Sequence, residues 1–572
     1  MEAVPTSPTT PKSPTHAVLF LATISIAVLF VTVTLLATLT INPGSQTAHS
    51  HLVHTTGPAP AQGDSTQPPN PEVNAAEVAE AVDLAQIRFI DYMNGELDAD
   101  NDKIFGGSLQ DLPDGYFNLT DTWNTVNTYS NSLVNDVEYD RKNFGLLVRR
   151  ARSLFIAYRV LNEMADDEFD ALAQVTDDDA AAAATGNHQK SVERRNNRTS
   201  ALKQQLETAV TAQTETLYSW INPPFESLAA MNGFFKSAKD SIGIALTGGS
   251  KHYYLMMHQI LSLREEFNIS LPIHIFYAGP EDMNATCVDT FNAMENVQAV
   301  DLLQIFPNQT KLQDRGYSMK PFAILAAPFK TVLFIDADAL FFKSPLHALE
   351  SRAFKETGHL FFHDRFLREE SGMRGPDFFN DVHKHLSRYG QTIGFPNAKT
   401  RKRAETHELD SGFLVLNKSN TGVLFSLLLA SKMNSMPFEK DVLYGHTHGD
   451  KESFWFASEM LRVPYQFNSP YGGAIGTLRK MEGKNTGTAV VCSGVLSDRY
   501  VTTDFGNHFA EFTHVALDFD GVGTKWFDFF PGGGCVKRPS RHVMELSAEH
   551  QALMERYRQR FLHSVKDPVT AV

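Results

Sequence analysis

The segment Val332-Leu333-Phe334-Ile335 runs straight into Asp336-Ala337-Asp338. A short apolar run of this kind reads as a buried strand. On an extended chain, residues i and i+2 point the same way, so the strand ends by presenting two carboxylates side by side. Like charges at that separation raise one pKa unless a cation lies between or beside them. Hard divalent ions accept carboxylate oxygens and leave positions for phosphate. The pair can therefore hold a metal against a diphosphate, or it can be two acids on a solvated loop. The bare pattern does not choose between them.

The surrounding sequence has one texture. From about Ser241, short apolar runs alternate with helical patterns. Ile242–Leu246, Leu271–Tyr277, Val300–Ile305 and Val332–Ile335 read as strands; the stretch through Leu263 and the segment Phe322–Ala327 read as helices. This alternation predicts an α/β layer fold with a largely parallel sheet. Ligands of such sheets bind beyond the carboxyl ends of the strands, which is where Asp336 and Asp338 stand. Further on, Glu408, Asp410, Ser411 and Gly412 read as turn residues ahead of a strand, Phe413–Leu416. Asp450 opens a helical pattern with Phe454, Trp455 and Met460 on its buried side.

At 572 residues the chain is too long for one compact core. Residues 1–16 form a short tail whose only basic side chain is Lys12. Residues 17–41 carry no charge and exceed the ~20 apolar residues a membrane helix needs. They read as an uncleaved transmembrane anchor with its N-terminus on the cytoplasmic side. Residues 42–71, rich in Pro, Ser, Thr, Gln and Gly, read as a flexible stem. Residues 72–235 read as a helical N-terminal region, with Phe144, Leu147, Val148, Ala151, Phe155 and Tyr158 on one stripe. A disordered insertion is expected near 166–200, where the sequence turns acidic, alanine-rich and then basic. Residues 236–540 form the α/β domain, and 541–572 a C-terminal helix and tail. Asn-x-Ser/Thr triplets at Asn118, Asn197, Asn268, Asn284, Asn308 and Asn417 fit a lumenal chain.

Several function classes fall away. A formal charge of −15 argues against nucleic-acid binding. Cys287, Cys492 and Cys535 contain no CxxC pair, which removes a cysteine-built zinc site; Cys492 and Cys535 are the expected partners if a disulfide forms. No G-x-x-x-x-G-K-[ST] loop accompanies the strand ending in Asp336, so an ATPase reading fails. No G-x-G-x-x-G follows Ile242–Leu246, and no HExxH is present.

Five blocks in order are more specific than any one of them. They are Ile242-Gly243-Ile244-Ala245 with Gly248-Gly249; Leu271-Pro272-Ile273-His274-Ile275 with Tyr277, Gly279 and Asp282; Lys320-Pro321-Phe322-Ala323-Ile324-Leu325 ahead of the Asp336-Ala337-Asp338 strand; Glu405 through Gly412; and Gly449-Asp450-Lys451-Glu452-Ser453-Phe454-Trp455. Over about residues 236–530 this set resembles the fungal mannosyltransferase family that includes the yeast Golgi α-1,3- and α-1,2-mannosyltransferases of the mannan pathway. The resemblance implies a GT-A fold, a GDP-mannose donor, Mn2+ and transfer with retention. It implies Asp338 as direct metal ligand, Asp336 on metal or ribose, and His514 as third metal ligand, with His508 as its alternative. Gly248, Gly249, Lys320 and Lys525 are the further donor-binding candidates. Lys525 precedes Trp526 as in a Lys-Pro-Trp element of related transferases, but Thr524 stands before it and the Pro is missing. Asp450, Asp410 and Glu408 are the candidate catalytic carboxylates, acting as nucleophile or steadying an oxocarbenium-like ion.

The implied acceptor is a mannose-containing glycan of glycoproteins, with an α-1,3 linkage favoured over α-1,2. The implied location is the Golgi membrane, single-pass type II, with the catalytic domain lumenal and other mannosyltransferases as further partners. Alternatives are a GT-A transferase using a UDP-sugar and a non-catalytic lumenal scaffold.

Overall fold

The computed structural model describes residues 144–163, 188–238, 241–309, 312, 316–364, 408–435, 443–445, 447, 449–461, 463–468, 471–480, 489–497, 500–502, 512–518, 526–528, 534–536 and 543–565. Chain contacts divide the protein between Glu72 and Val73, and every described residue lies in the second unit. The expected anchor and stem, His508 and Lys525 fall outside the described residues. No described helix is long and apolar enough to cross a membrane.

The predicted stripe of the first helix is buried. In α1 (Phe144–Glu163), Phe144, Leu147, Val148, Ala151, Phe155 and Tyr158 are each at most 2% exposed. Phe155 and Tyr158 pack on Phe425, and Phe144 stacks on Phe456. The expected disorder near 166–200 needs correction at its end. Helix α2 spans His188–Leu217 and takes in the basic stretch. Gln, Lys, Glu, Arg and Ala are good helix formers whatever their charge, and a polar helix needs only a narrow seam to dock. Leu206, Val210 and Leu217 supply that seam. Helix α3 (Leu228–Ser237) starts where Ser227 accepts a hydrogen bond from the Ala230 N–H, an ordinary N-cap.

The first sheet contains β1 (Ile242–Thr247), β2 (Ile273–Tyr277), β3 (Val297–Asp301), β4 (Thr331–Ile335), β6 (His359–His363), β7 (Leu409–Asn417) and β8 (Phe467–Asn468), in the order β3-β2-β1-β4-β7-β6-β8. β3, β2, β1 and β4 are parallel; β7 runs antiparallel to both β4 and β6. Alternate residues feed two cores. Phe334, Leu414 and Leu416 join one apolar cluster with α1, α3 and three further helices: α5 (Met319–Ala326), α6 (Thr421–Met433) and α7 (Lys451–Leu461). Leu333, Ile335, Phe413 and Val415 join the other with α4 (Tyr253–Phe267) and α8 (Ala548–Val565). A sheet covered on both faces requires strands apolar at every position, and β4 is buried throughout.

The third strand lies three residues earlier than Val300–Ile305. Asp301 ends it: its carboxylate accepts from the Leu303 and Gly279 N–H groups at 2.9 Å. That cap turns Leu302–Ile305 into a helical turn rather than a strand.

A second, antiparallel sheet follows that the sequence pattern does not predict. It contains β9 (Tyr471–Lys480), β10 (Ala489–Ser497), β12 (His514–Asp518), β13 (Trp526–Asp528), β14 (Gly534–Val536) and β15 (Val543–Glu545), in the order β13-β14-β10-β9-β12-β15. Two short strands, β5 (Ala339–Phe341) and β11 (Tyr500–Thr502), pair with each other, and β11 also pairs with β10. Cys492 and Cys535 are register partners across β10 and β14. The C-terminal helix α8 is held on α4. His258 Nε2 donates to the Tyr557 carbonyl at 2.9 Å, and Arg560 meets Glu265 and Glu266.

Candidate active site

The parallel strands finish together, and the site is built where β4 ends. Asp336 leaves the strand with its N–H donating to the Gly412 carbonyl at 2.8 Å. The turn closes when the Ala339 N–H reaches the Asp336 carbonyl. Asp336 and Asp338 are both part-exposed, as a ligand site requires.

Lys320, in the first turn of α5, holds the site together. Its Nζ donates to Asp336 Oδ2 at 2.7 Å and to Ser411 Oγ at 3.2 Å, and lies 3.9 Å from Asp450 Oδ1. Burial alone would push this ammonium down. Asp336, Asp450 and Asp338 together outweigh burial and raise it above its ordinary value, so it stays charged. The structure thus ties Lys320 to the carboxylates that surround it.

Asp450 stands before α7. Gly449 ahead of it takes φ +70°, a left-handed turn that glycine adopts without strain. The Asp450 carbonyl accepts from the Ser453 N–H and hydroxyl. Its carboxylate points at Lys320 and accepts from Ser411. Burial pushes its pKa up, Lys320 pulls it back, Asp336 adds to the rise, and the balance is a raised value. Oδ2 is buried without a hydrogen-bond partner. Such an orphan is costly unless a ligand group completes it.

Glu408 and Asp410 are not in a turn before the strand. Asp410, Ser411 and Gly412 lie inside β7, and Glu408 adjoins it, all buried. Asp410 Oδ1 accepts from the Gly412 N–H at 2.8 Å, while Glu408 Oε1 lies 3.5 Å from His363 Nδ1. Asp450, Asp336 and Ser411 therefore meet at Lys320, whereas Asp410 and Glu408 are engaged beside that cluster.

Gly248 and Gly249 follow β1. A Cβ on Gly249 would come within 2.1 Å of Asp282 Oδ1, and one on Gly248 within 2.9 Å of Met256 Sδ. Close packing on the Asp282 backbone requires glycine at 249, whereas at 248 the nearest atom belongs to a flexible Met256 side chain. His514 begins β12 in the second sheet, its Nδ1 2.8 Å from Thr513 Oγ1. Among the described residues, no three His, Cys, Asp or Glu side chains gather as a metal cage.

Sequence reasoning missed Ser411 as a bridge, and missed a buried network at the entry to β7. The Glu452 carboxylate, fully enclosed, accepts from the Glu408 N–H at 2.9 Å, the Leu409 N–H at 3.3 Å and Trp455 Nε1 at 2.5 Å. Burial, only partly offset by these donors and reinforced by Glu408, pushes Glu452 up to about 8. Next to it, Lys451 pairs with Asp364 at 2.8 Å. An acid two residues after Asp450, at the start of an otherwise apolar helix, was the available signal.

Part of the chain is similar to known proteins. The protein-family model described as "Mannosyltransferase putative" matches residues 241–497. The "Putative alpha-1,3-mannosyltransferase MNN14" of Candida albicans is 28% identical over 46% of this chain and 42% of its own length. The alpha-1,3-mannosyltransferase MNN1 of Saccharomyces cerevisiae is 25% identical over 46% of this chain and 39% of its own. The alpha-1,2-mannosyltransferase MNN5 of the same yeast is 23% identical over 39% of this chain and 44% of its own. The matched region thus spans less than half the length of these relatives. Among solved structures, mouse xyloside xylosyltransferase 1 overlaps at a TM-score of 0.25 with 12% identity, over 41% of this chain and 85% of that one, too little to argue from. Residues 241–497, which contain Lys320, Asp336, Asp338, Ser411 and Asp450, are thus the part of the chain that is similar to the mannosyltransferase model and to these fungal mannosyltransferases.

Proposed function

We propose that this chain is a retaining mannosyltransferase that moves mannose from GDP-mannose to a mannose-containing glycan. The observation that carries the reading is the orphaned, buried Oδ2 of Asp450, beside a charged Lys320 and two part-exposed acids.

The residues present fit a hard divalent ion such as Mn2+. Asp336 and Asp338 offer only oxygen, and both are part-exposed. Asp338 and Asp336 would hold it, and when bound it would stabilise charge on a departing diphosphate as a Lewis acid. The chain's own groups do the rest. Lys320 fixes Asp336 and Asp450 relative to each other through direct contact with both. Asp450 offers Oδ2 to a sugar hydroxyl, or as negative charge facing the anomeric carbon as its bond to the diphosphate breaks. The acceptor oxygen then forms the new bond, and its proton leaves to the diphosphate or to solvent.

The α-1,3 linkage is favoured because MNN14 and MNN1 carry that description, and the α-1,2 enzyme MNN5 supports the second reading. We place the GT-A designation, the membrane anchor at 17–41 and a lumenal Golgi location within the same proposal. The test uses the full chain in detergent micelles with radiolabelled GDP-mannose, UDP-glucose or UDP-galactose and a panel of α-mannosides. Transfer from GDP-mannose, with linkage read on the product, is expected. Transfer from a UDP-sugar alone, or from none, would overturn the reading.

A further inference from the structure

Glu452 is the most enclosed acid near the site, and the transfer chemistry does not use it. Its carboxylate has a demanding environment. Glu408 N–H, Leu409 N–H and Trp455 Nε1 all donate to it. Glu408 is held from its other side as well: its carbonyl accepts from the Asp364 N–H at 3.0 Å. The Asp364 carboxylate in turn meets Lys451 Nζ at 2.8 Å. Lys451 and Glu452 are adjacent, so the contacts close a ring: Lys451, Asp364, Glu408, Glu452.

That ring lies between two segments of the site. Asp450 is two residues before Glu452. Ser411 is three residues after Glu408. The two meet at Lys320, although they stand 39 residues apart in sequence. Stability alone would favour a neutral, apolar side chain at position 452, because a carboxylate loses its water on burial. The rise of its pKa to about 8 is a sign of that cost. A hydrogen-bonded acid also fixes the spacing of helix and strand, which an apolar contact does not.

Resting on the transferase reading, we infer that Glu452 is a positioning residue: by clamping the entry of β7 onto the start of α7, it sets the distance between Ser411 and Asp450. It acts through these residues and touches no substrate. At a pH above its raised pKa, where Glu452 is a carboxylate, Glu452→Gln keeps the shape but places an NH2 where donors converge. The measurements are kcat, KM for donor and acceptor, GDP affinity, and amide hydrogen exchange at Glu408 and Leu409 in the full chain.

The expected result is a kcat at least tenfold lower with GDP affinity within twofold and faster exchange at both amides. A folded Glu452→Gln with kcat within twofold of wild type, or with unchanged exchange, overturns the inference. Should that variant not fold, Lys451→Met opens the same ring from its partly exposed side. It is expected to lower kcat at least threefold and to speed exchange at Glu408; an unchanged kcat would overturn the inference. The exchange measurement needs no donor, so the clamp is judged even where wild-type transfer from GDP-mannose fails.

Discussion

Two lysines at opposite ends of helix α5 are both closed off from water, and the protein treats them in opposite ways. Lys320, in the first turn, contacts Asp336, Ser411 and Asp450 and is held charged. Lys418, just past β7, donates to the carbonyls of Ile324, Leu325 and Ala327 at the last turn, with its Nζ 3.9 Å from the Phe235 ring centre. Burial pushes its amine well below the usual range. The helix dipole would predict the reverse, since it favours cations at the C-terminus and opposes them at the N-terminus. Full carboxylate charges outweigh a dipole worth ~1 kcal/mol, and carbonyl dipoles do not replace lost water. A buried lysine is thus a charged chemical group where acids surround it, and a pin where only backbone does. One helix carries both, so the pin at Lys418 helps set where Lys320 sits.

The largest effect is expected on breaking the charged end. Lys320→Met should lower kcat by roughly 10²–10³-fold, the range for removing one group that organises charge at a reacting centre. The folded state should persist, because Asp336 is part-exposed and Asp450 already has a raised pKa. Steady-state kinetics with circular dichroism as control would check it; activity within tenfold of wild type would show that the ion cluster is merely structural.

Next comes the pin. Lys418→Met should cost about 1–3 kcal/mol, the range for leaving buried acceptors unsatisfied, while the folded fraction keeps kcat within a few-fold. Denaturant midpoints measure this. The pH dependence has a definite sign. The folded pKa of Lys418 is lowered, so its contribution to stability is present above the unfolded pKa of ~10.4 and is lost as pH falls through the folded value. Wild type should therefore gain stability on moving into the alkaline range, and Lys418→Met should not.

The smallest effect reports on the charge of the pin itself. His274, packed on Phe329, is lowered to about 4 by burial first and by Lys418 second. In Lys418→Met its titration midpoint, followed by NMR, should rise; no rise would mean that Lys418 carries little charge. His258 and His359 are likewise held at about 4 by burial. Together with His274 they predict stability that is complete above about 6.5 and lost as pH falls through 4.

The parts of this fold that a sequence shows are those where every residue points to the same outcome. β1 and β4 are apolar throughout because both faces are covered, so the strand ending in Asp336 stands out. α1 shows its stripe because one face is buried. The third strand starts earlier than its apolar run suggests because Asp301 caps a helical turn within that run. The second sheet escaped notice because β9 carries Gly472, Gly473 and Gly476, which give no apolar period. Asp336 and Asp338 were legible as a local pattern. The meeting of Lys320, Ser411 and Asp450 was not, since those partners are 91 and 39 residues apart in sequence and only the antiparallel placing of β7 against β4 brings them together.

The central claim is that a carboxylate with a free oxygen, steadied by a charged lysine, serves mannose transfer. The most direct test is Asp450→Asn in the full chain with GDP-mannose and an α-mannoside. Transfer at least 100-fold below wild type, with Mn2+-dependent GDP affinity within a few-fold, is the predicted result. Transfer at the wild-type rate by the folded variant would contradict it.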